Sequence, residues 1–209
     1  MPVEITTLGA FIVAASALVM SPGPDTLLIL RYTLSSGQRV GLATVIGVQL
    51  GLMVHTLLAV AGISLIIASS PVLFKTVAIL GAAYLAWLGV QGFTGGGSLR
   101  LESGSAPVGA GKACRDAILC NVLNPKVIML FLALLPNFID VDRGDVTAQL
   151  IFLAATLIVI NVLWQAPMAW LADIVRHWLN SPGVQVWVAR ITGVILLGFA
   201  FLMIYEHLA

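Results

Sequence analysis

Six long apolar runs, parted by short polar turns, fill almost the whole chain, and they leave it a single solvent, lipid. They extend from about Ile5 to Leu30, from Val40 to Ala68, and from the Ser69-Ser70-Pro71 turn to about Phe93. The second half repeats the pattern from about Cys114 to Ile139, Val146 to Leu171 and Val188 to Tyr205. Each run can cross a hydrocarbon core about 30 Å thick as a helix. The runs are continuous rather than alternating, which excludes the strands of a membrane barrel. Folding in water is excluded by composition: 60% of the 209 residues are apolar and 9% charged, against about 25% charged in a soluble domain. A net charge of +1 leaves no footprint for nucleic acid.

The chain divides near its middle. Residues 94–111 are rich in glycine and serine and include Gly95-Gly96-Gly97, the composition of a flexible linker. Residues 1–93 and 112–209 then form two halves of three helices each. An odd number of crossings gives the halves opposite topology. In each half the first helix is interrupted by proline, at Ser21-Pro22-Gly23-Pro24-Asp25 and at Asn124-Pro125-Lys126. Interrupted helices at corresponding positions are the pattern of inverted-repeat transporters. The expected fold is an all-α integral membrane protein of about six transmembrane helices, two inverted three-helix repeats with helices 1 and 4 broken. Arg31, Arg39, Arg100, Lys112, Arg115, Arg176 and Arg190 lie in the odd loops, and only Lys75 and Arg143 lie opposite. That bias puts the odd loops and the linker in the cytoplasm and both termini outside. Met1 to Glu4 lack the basic region of a signal peptide and run directly into the first helix, which is expected to be retained.

Two charges at membrane depth need an explanation. A carboxylate or ammonium at the centre of a spanning helix costs roughly 2.5–3.5 kcal/mol on insertion scales. Asp25 lies about 9 Å along a helix from Arg31, and Lys126 about 16 Å from Arg115. Asp25 can cap the helix that resumes after Pro24, and the two charges can form a structural ion pair. They can equally face one cavity, where they complement the ammonium and carboxylate of an amino acid. Pro22, Gly23, Pro24 and Pro125 unwind the helices, and freed backbone is tolerated only where it lines a cavity or is buried in protein. Asn121 and Asn124 offer amides to a substrate or to that backbone. His55 offers an imidazole that can relay protons, or sit neutral between helices. Gln49, and Asn161 with Gln165 four residues on, can line a path or bridge helices. Gly47 and Gly51 favour close helix packing.

No phosphate-cradling glycine loop, metal-ligand cluster or nucleophile motif occurs. No cofactor or metal is expected, the chain is not expected to be an enzyme, and uphill transport must draw on an ion gradient. Cys114 and Cys120, six apart, match neither a redox pair nor a zinc site.

At Ser21-Pro22-Gly23-Pro24-Asp25 and Asn121-x-x-Asn124-Pro125-Lys126 the chain resembles the LysE/RhtB family of bacterial amino-acid exporters. The resemblance covers nearly the whole length, including the glycine-rich stretch from Gly37 to Gly51, His55 and the run Gly81-Ala82-Ala83-Tyr84-Leu85. It implies export of amino acids or close derivatives across the cytoplasmic membrane, driven by protons, with the two proline motifs at the core of the path. Substrate, protons and lipid are then the partners, and a homodimer is left open. Two alternatives remain. An exporter of metal cations or small ions would want several carboxylates at depth, where the chain has one. A membrane thiol or redox carrier would need Cys114 and Cys120 to react together.

Overall fold

The computed structural model describes residues 1–21, 23–69, 108–172 and 181–208, with scattered positions between 72 and 94. Pro22, most of the third apolar run and residues 95–107 of the linker lie outside the described residues. The chain forms α1 (Ile5–Met20), α2 (Pro24–Ser36), α3 (Gln38–Ser69), α4 (Ala110–Val122) and the short α5 (Pro125–Met129). A π-helical turn (Leu130–Leu134) and a 3-10 turn (Leu135–Phe138) extend α5, and α6 (Val146–Trp170) and α7 (Pro182–Leu208) complete the order. The described positions between 72 and 94 are also helical, and no strand occurs among the described residues.

Among the described residues two helices are long and apolar enough to span a membrane alone, Gln38–Gly62 within α3 and Val146–Trp170. Two more spans arise if each bent pair counts as one: α1 with α2, bent by 53°, and α4 with residues 126–138, bent by 52°. Proline accounts for both bends. The residue before proline is driven out of the α region. Gly23 is extended at φ −147°, ψ −174°, and Asn124 lies at φ −74°, ψ 112°. Each proline then opens the next helix, where its missing N–H is no loss. Pro136 cannot donate to the carbonyl one turn back, and the π-helical turn just before it widens the helix there. Gly37 ends α2 at φ 88°, a conformation that strains any L side chain, and α3 starts at the next residue.

The long α3 is the spine, packed against α2, α4 and α6. Its glycines set the approach of α4. A Cβ at Gly47 would lie 2.7 Å from Ala117 Cβ, and one at Gly51 would lie 2.5 Å from Asn121 Oδ1. In lipid, where apolar burial gives little drive, such backbone proximity is a principal source of helix association. The main buried cluster joins α1 (Phe11, Leu18), Leu52 of α3, Phe131 and Leu134 beyond the second break, and Leu150 and Leu153 of α6. Phe11 meets Phe138 edge to face at 5.2 Å. At one end Tyr32 Oη donates to Asp116 Oδ2 (2.8 Å), tying α2 to α4. Arg143 reaches Glu4 at 4.0 Å, joining the α1 entrance to the acidic turn before α6.

Replacing Gly51 by Ala forces a methyl group into Asn121. Thermal denaturation of the detergent-solubilised protein is expected to show a loss of about 1–3 kcal/mol, the usual cost of overpacking. Gly62→Ala, with nothing within 4 Å of its Cβ, is expected to stay within about 0.5 kcal/mol of wild type. Equal melting of the two variants would contradict the packing assigned to Gly51.

Candidate functional site

Each helix break supplies what the other lacks. Asp25, 8% exposed, is the second residue of α2, where the helix dipole favours an anion. Its Oδ2 accepts from Asn121 Nδ2 at 2.9 Å and from Asn124 Nδ2 at 3.2 Å, on either side of the second break. Lys126 is the second residue of α5, and its Nζ donates to the backbone carbonyl of Ser21 at 2.5 Å. Ser21 immediately follows α1, whose last carbonyls lack helical partners and attract cations. The direct Asp25–Lys126 ion pair left open above is not formed. Among the described residues the ion pairs are Arg115–Asp116 and Glu4–Arg143. Hydrogen bonds to a charged group contribute about 1.5–3 kcal/mol each, so two amides on Asp25 are of the size of its insertion penalty.

The asparagines and His55 do the local work of holding the second break open. Asn124 Oδ1 accepts from Lys126 N (3.0 Å) and so caps α5, which leaves its Nδ2 for Asp25. The Asn121 carbonyl, at the end of α4, accepts from Asn124 N (3.0 Å) and lies 3.2 Å from His55 Nε2. A carbonyl can only accept, so Nε2 carries the proton. The His55 ring stacks on Phe131 at 5.4 Å.

A cleft of about 420 Å³, counting its mouth, lies against both breaks. Ser21, Gly23, Asp25, Thr26, Asn124 and Lys126 bring polar groups to it, and Leu18, Val19, Leu52, Val127, Leu130 and Leu157 bring apolar ones. Asn161 and Gln165 complete the lining from α6. The structure thus brings Asp25, Lys126, Asn124, Gly23, Asn161 and Gln165 together. Asn121 touches the site through Asp25. Gln49 stands behind Gln165, donating from Nε2 to Gln165 Oε1 at 3.2 Å, and His55 stands behind Asn121. Pro24 and Pro125 open α2 and α5, whereas Pro22 lies outside the described residues. Sequence alone singled out neither the Ser21 carbonyl, within the first proline motif, nor Thr26, which follows that motif. Leu157 was also passed over; it lies one turn before Asn161 on the same face.

Two features give this cleft binding chemistry. Asn161 Oδ1 is a buried acceptor with no hydrogen-bond partner, and Asp25 Oδ1 has none within hydrogen-bond geometry, although the Cys120 thiol lies beside that carboxylate. Lys126 carries three N–H donors beside them. An acceptor-rich carboxylate and an ammonium in one cleft suit a ligand that carries both a cation and an anion. Among the described residues no group of three or more His, Cys, Asp or Glu could hold a metal ion, and both cysteines are free.

The family model described as LysE type translocator matches residues 16–207. An uncharacterized membrane protein of Bacillus subtilis (strain 168) is 35% identical, over 91% of this chain and 94% of its own. A homoserine/homoserine lactone efflux protein of Salmonella typhi is 30% identical, over 83% of this chain and 84% of its own. A leucine efflux protein of Enterobacter sp. (strain 638) is 29% identical over 91% of each chain. No solved structure matches the chain.

The geometry around His55 predicts a stability effect. His55→Leu removes one of the two donors to the Asn121 carbonyl, which keeps Asn124 N, and is expected to lower thermal stability by about 0.5–1.5 kcal/mol, the net contribution of one hydrogen bond. His55→Gln, which keeps a donor, should recover at least half of that loss. Unchanged melting in His55→Leu would remove the support role given to this histidine.

Proposed function

Because the chain belongs to the LysE type translocator family, we propose that it exports amino acids or close derivatives across the bacterial cytoplasmic membrane. Family membership makes it a membrane transporter and not an enzyme. The relatives named for efflux of homoserine, homoserine lactone and leucine supply the substrate class. One observation carries the reading: Asp25 and Lys126 line the same cleft from two broken helices without pairing with each other.

In this reading the substrate ammonium reaches the buried Oδ1 of Asp25, while Asn121 and Asn124 hold Oδ2. The substrate carboxylate draws Lys126 Nζ away from the Ser21 carbonyl. Binding therefore loosens the contact between the two breaks, and the halves rock about the cleft in alternating access. Asp25, or His55 acting behind Asn121, exchanges the coupling proton. The arrangement proposed is six spans in two inverted three-helix halves, with both termini outside and the linker 94–111 in the cytoplasm. Support for it comes from the nearly equal bends of 53° and 52° and from the matching positions of Asp25 and Lys126, each second in its helix after a proline.

Proteoliposomes holding the purified protein, loaded with leucine or homoserine and given a pH gradient, are expected to show gradient-dependent efflux. Asp25→Asn and Lys126→Met should each lower it at least about tenfold, in line with the loss of a charged contact of about 1.5–3 kcal/mol. Full transport by both variants would exclude them as substrate ligands. If no amino acid responds to the gradient, the export reading fails.

A further inference from the structure

Hydrogen bonds hold the two breaks at one level of the bundle, and the segments beyond them run to opposite sides of the cleft. Toward the linker run α2, which ends at Ser36, and α4, which begins at Ala110. Away from it run α1 and the segment from Leu130 to Phe138. Among the described residues the two sides are shut by different means. Away from the linker the seal is apolar: Phe11, Leu18, Leu134, Leu135, Leu150 and Leu153 are fully buried in one cluster. On the linker side the large buried side chains of α2, Ile29 and Leu30, turn to Val45 and Val48 of α3 and Met168 of α6. To the buried clusters that it shares with α2, α4 adds only Ala113 and Ala117.

What joins α2 to α4 there is polar. Tyr32, itself buried, donates from Oη to Asp116 Oδ2 at 2.8 Å. We propose that this hydrogen bond is the latch that shuts the cleft toward the linker, and that Tyr32 and Asp116 are positioning residues of the transport cycle. The assignment rests on the export reading above and gives that cycle one of its gates.

The lever is short. Asp25 and Asn121, bonded at the breaks, are the pivot, and Tyr32 lies about 10 Å along α2 from it at 1.5 Å per residue. Gly23 and Asn124, both outside the helical region, absorb the turning, so α2 can swing from α4 while the amides stay on Asp25. Parting two alanines removes little apolar contact, so the polar bond decides the balance of shut and open. One hydrogen bond to a carboxylate is worth about tenfold or more in such a balance. When the latch opens, Asp116 keeps a counter-ion in Arg115, 3.5 Å away and exposed. Ser36 Oγ accepts from Val108 N at 2.9 Å, which fastens the end of the linker to the same end of α2.

Sided labelling tests the latch without any substrate. Cys114 and Cys120 are replaced by Ala, and Leu157→Cys puts one thiol on the cleft wall. A membrane-impermeant maleimide is then added to vesicles from the linker side or from the opposite side. Tyr32→Phe and Asp116→Ala are each expected to raise labelling from the linker side about tenfold or more, with labelling from the opposite side unchanged or slower. Asp116→Asn, which keeps an oxygen to accept from Tyr32, is expected to stay within about threefold of the parent. Tyr32→Phe keeps the ring that packs on Val40 and Ala113, so the test survives if Asp116→Ala folds poorly. Labelling unmoved by Tyr32→Phe, raised equally from both sides, or as fast in Asp116→Asn as in Asp116→Ala would overturn the latch. Amino-acid efflux by the wild type is measured separately: its absence ends the export reading, whereas efflux without the sided change ends the latch alone.

Discussion

The exchange of hydrogen bonds between the two helix breaks is the constraint on which the rest of the structure depends. Proline interrupts each helix and frees polar backbone inside a medium that cannot solvate it. The repair in this protein is reciprocal. The carboxylate of the first break, Asp25, is held by the amides of the second, and the ammonium of the second, Lys126, is held by a carbonyl of the first. Two charges that would be expensive separately are each neutralised by dipoles rather than by one another. They therefore stay available to a ligand.

The neighbouring elements serve that exchange. Gly47 and Gly51 let α4 approach α3 closely enough to bring Asn121 to its place. His55, on the same helix as those glycines, satisfies the carbonyl that the second break exposes. Asn124 divides its amide between capping α5 and binding Asp25. Substitutions at these positions act on the site through geometry as well as through lost contacts. A residue such as Asn124 cannot be assigned wholly to structure or wholly to binding.

The sequence made the breaks and the charges legible because both rest on local physics. Proline lacks an N–H wherever it stands, and Asp25 and Lys126 are conspicuous in lipid by their cost alone. The glycine pair on α3 was legible by spacing, and the resemblance to LysE-type exporters is matched by the family comparison. What each charge touches was not legible. The partner of Lys126 is a backbone carbonyl 105 residues away, and backbone carries no sequence signal. His55 and Asn121 are 66 apart, so spacing could not choose between a proton relay and a support for the break. Asn161 and Gln165 announced a polar face on α6, but periodicity does not say which way a face turns when every other face is apolar.

A structure determined with an amino acid bound would test the central claim most directly. The account predicts the ammonium on Asp25 and the carboxylate on Lys126, with the Lys126–Ser21 hydrogen bond broken and Asn121 and Asn124 still on Asp25. A substrate bound elsewhere, with Lys126 still seated on the Ser21 carbonyl, would contradict it.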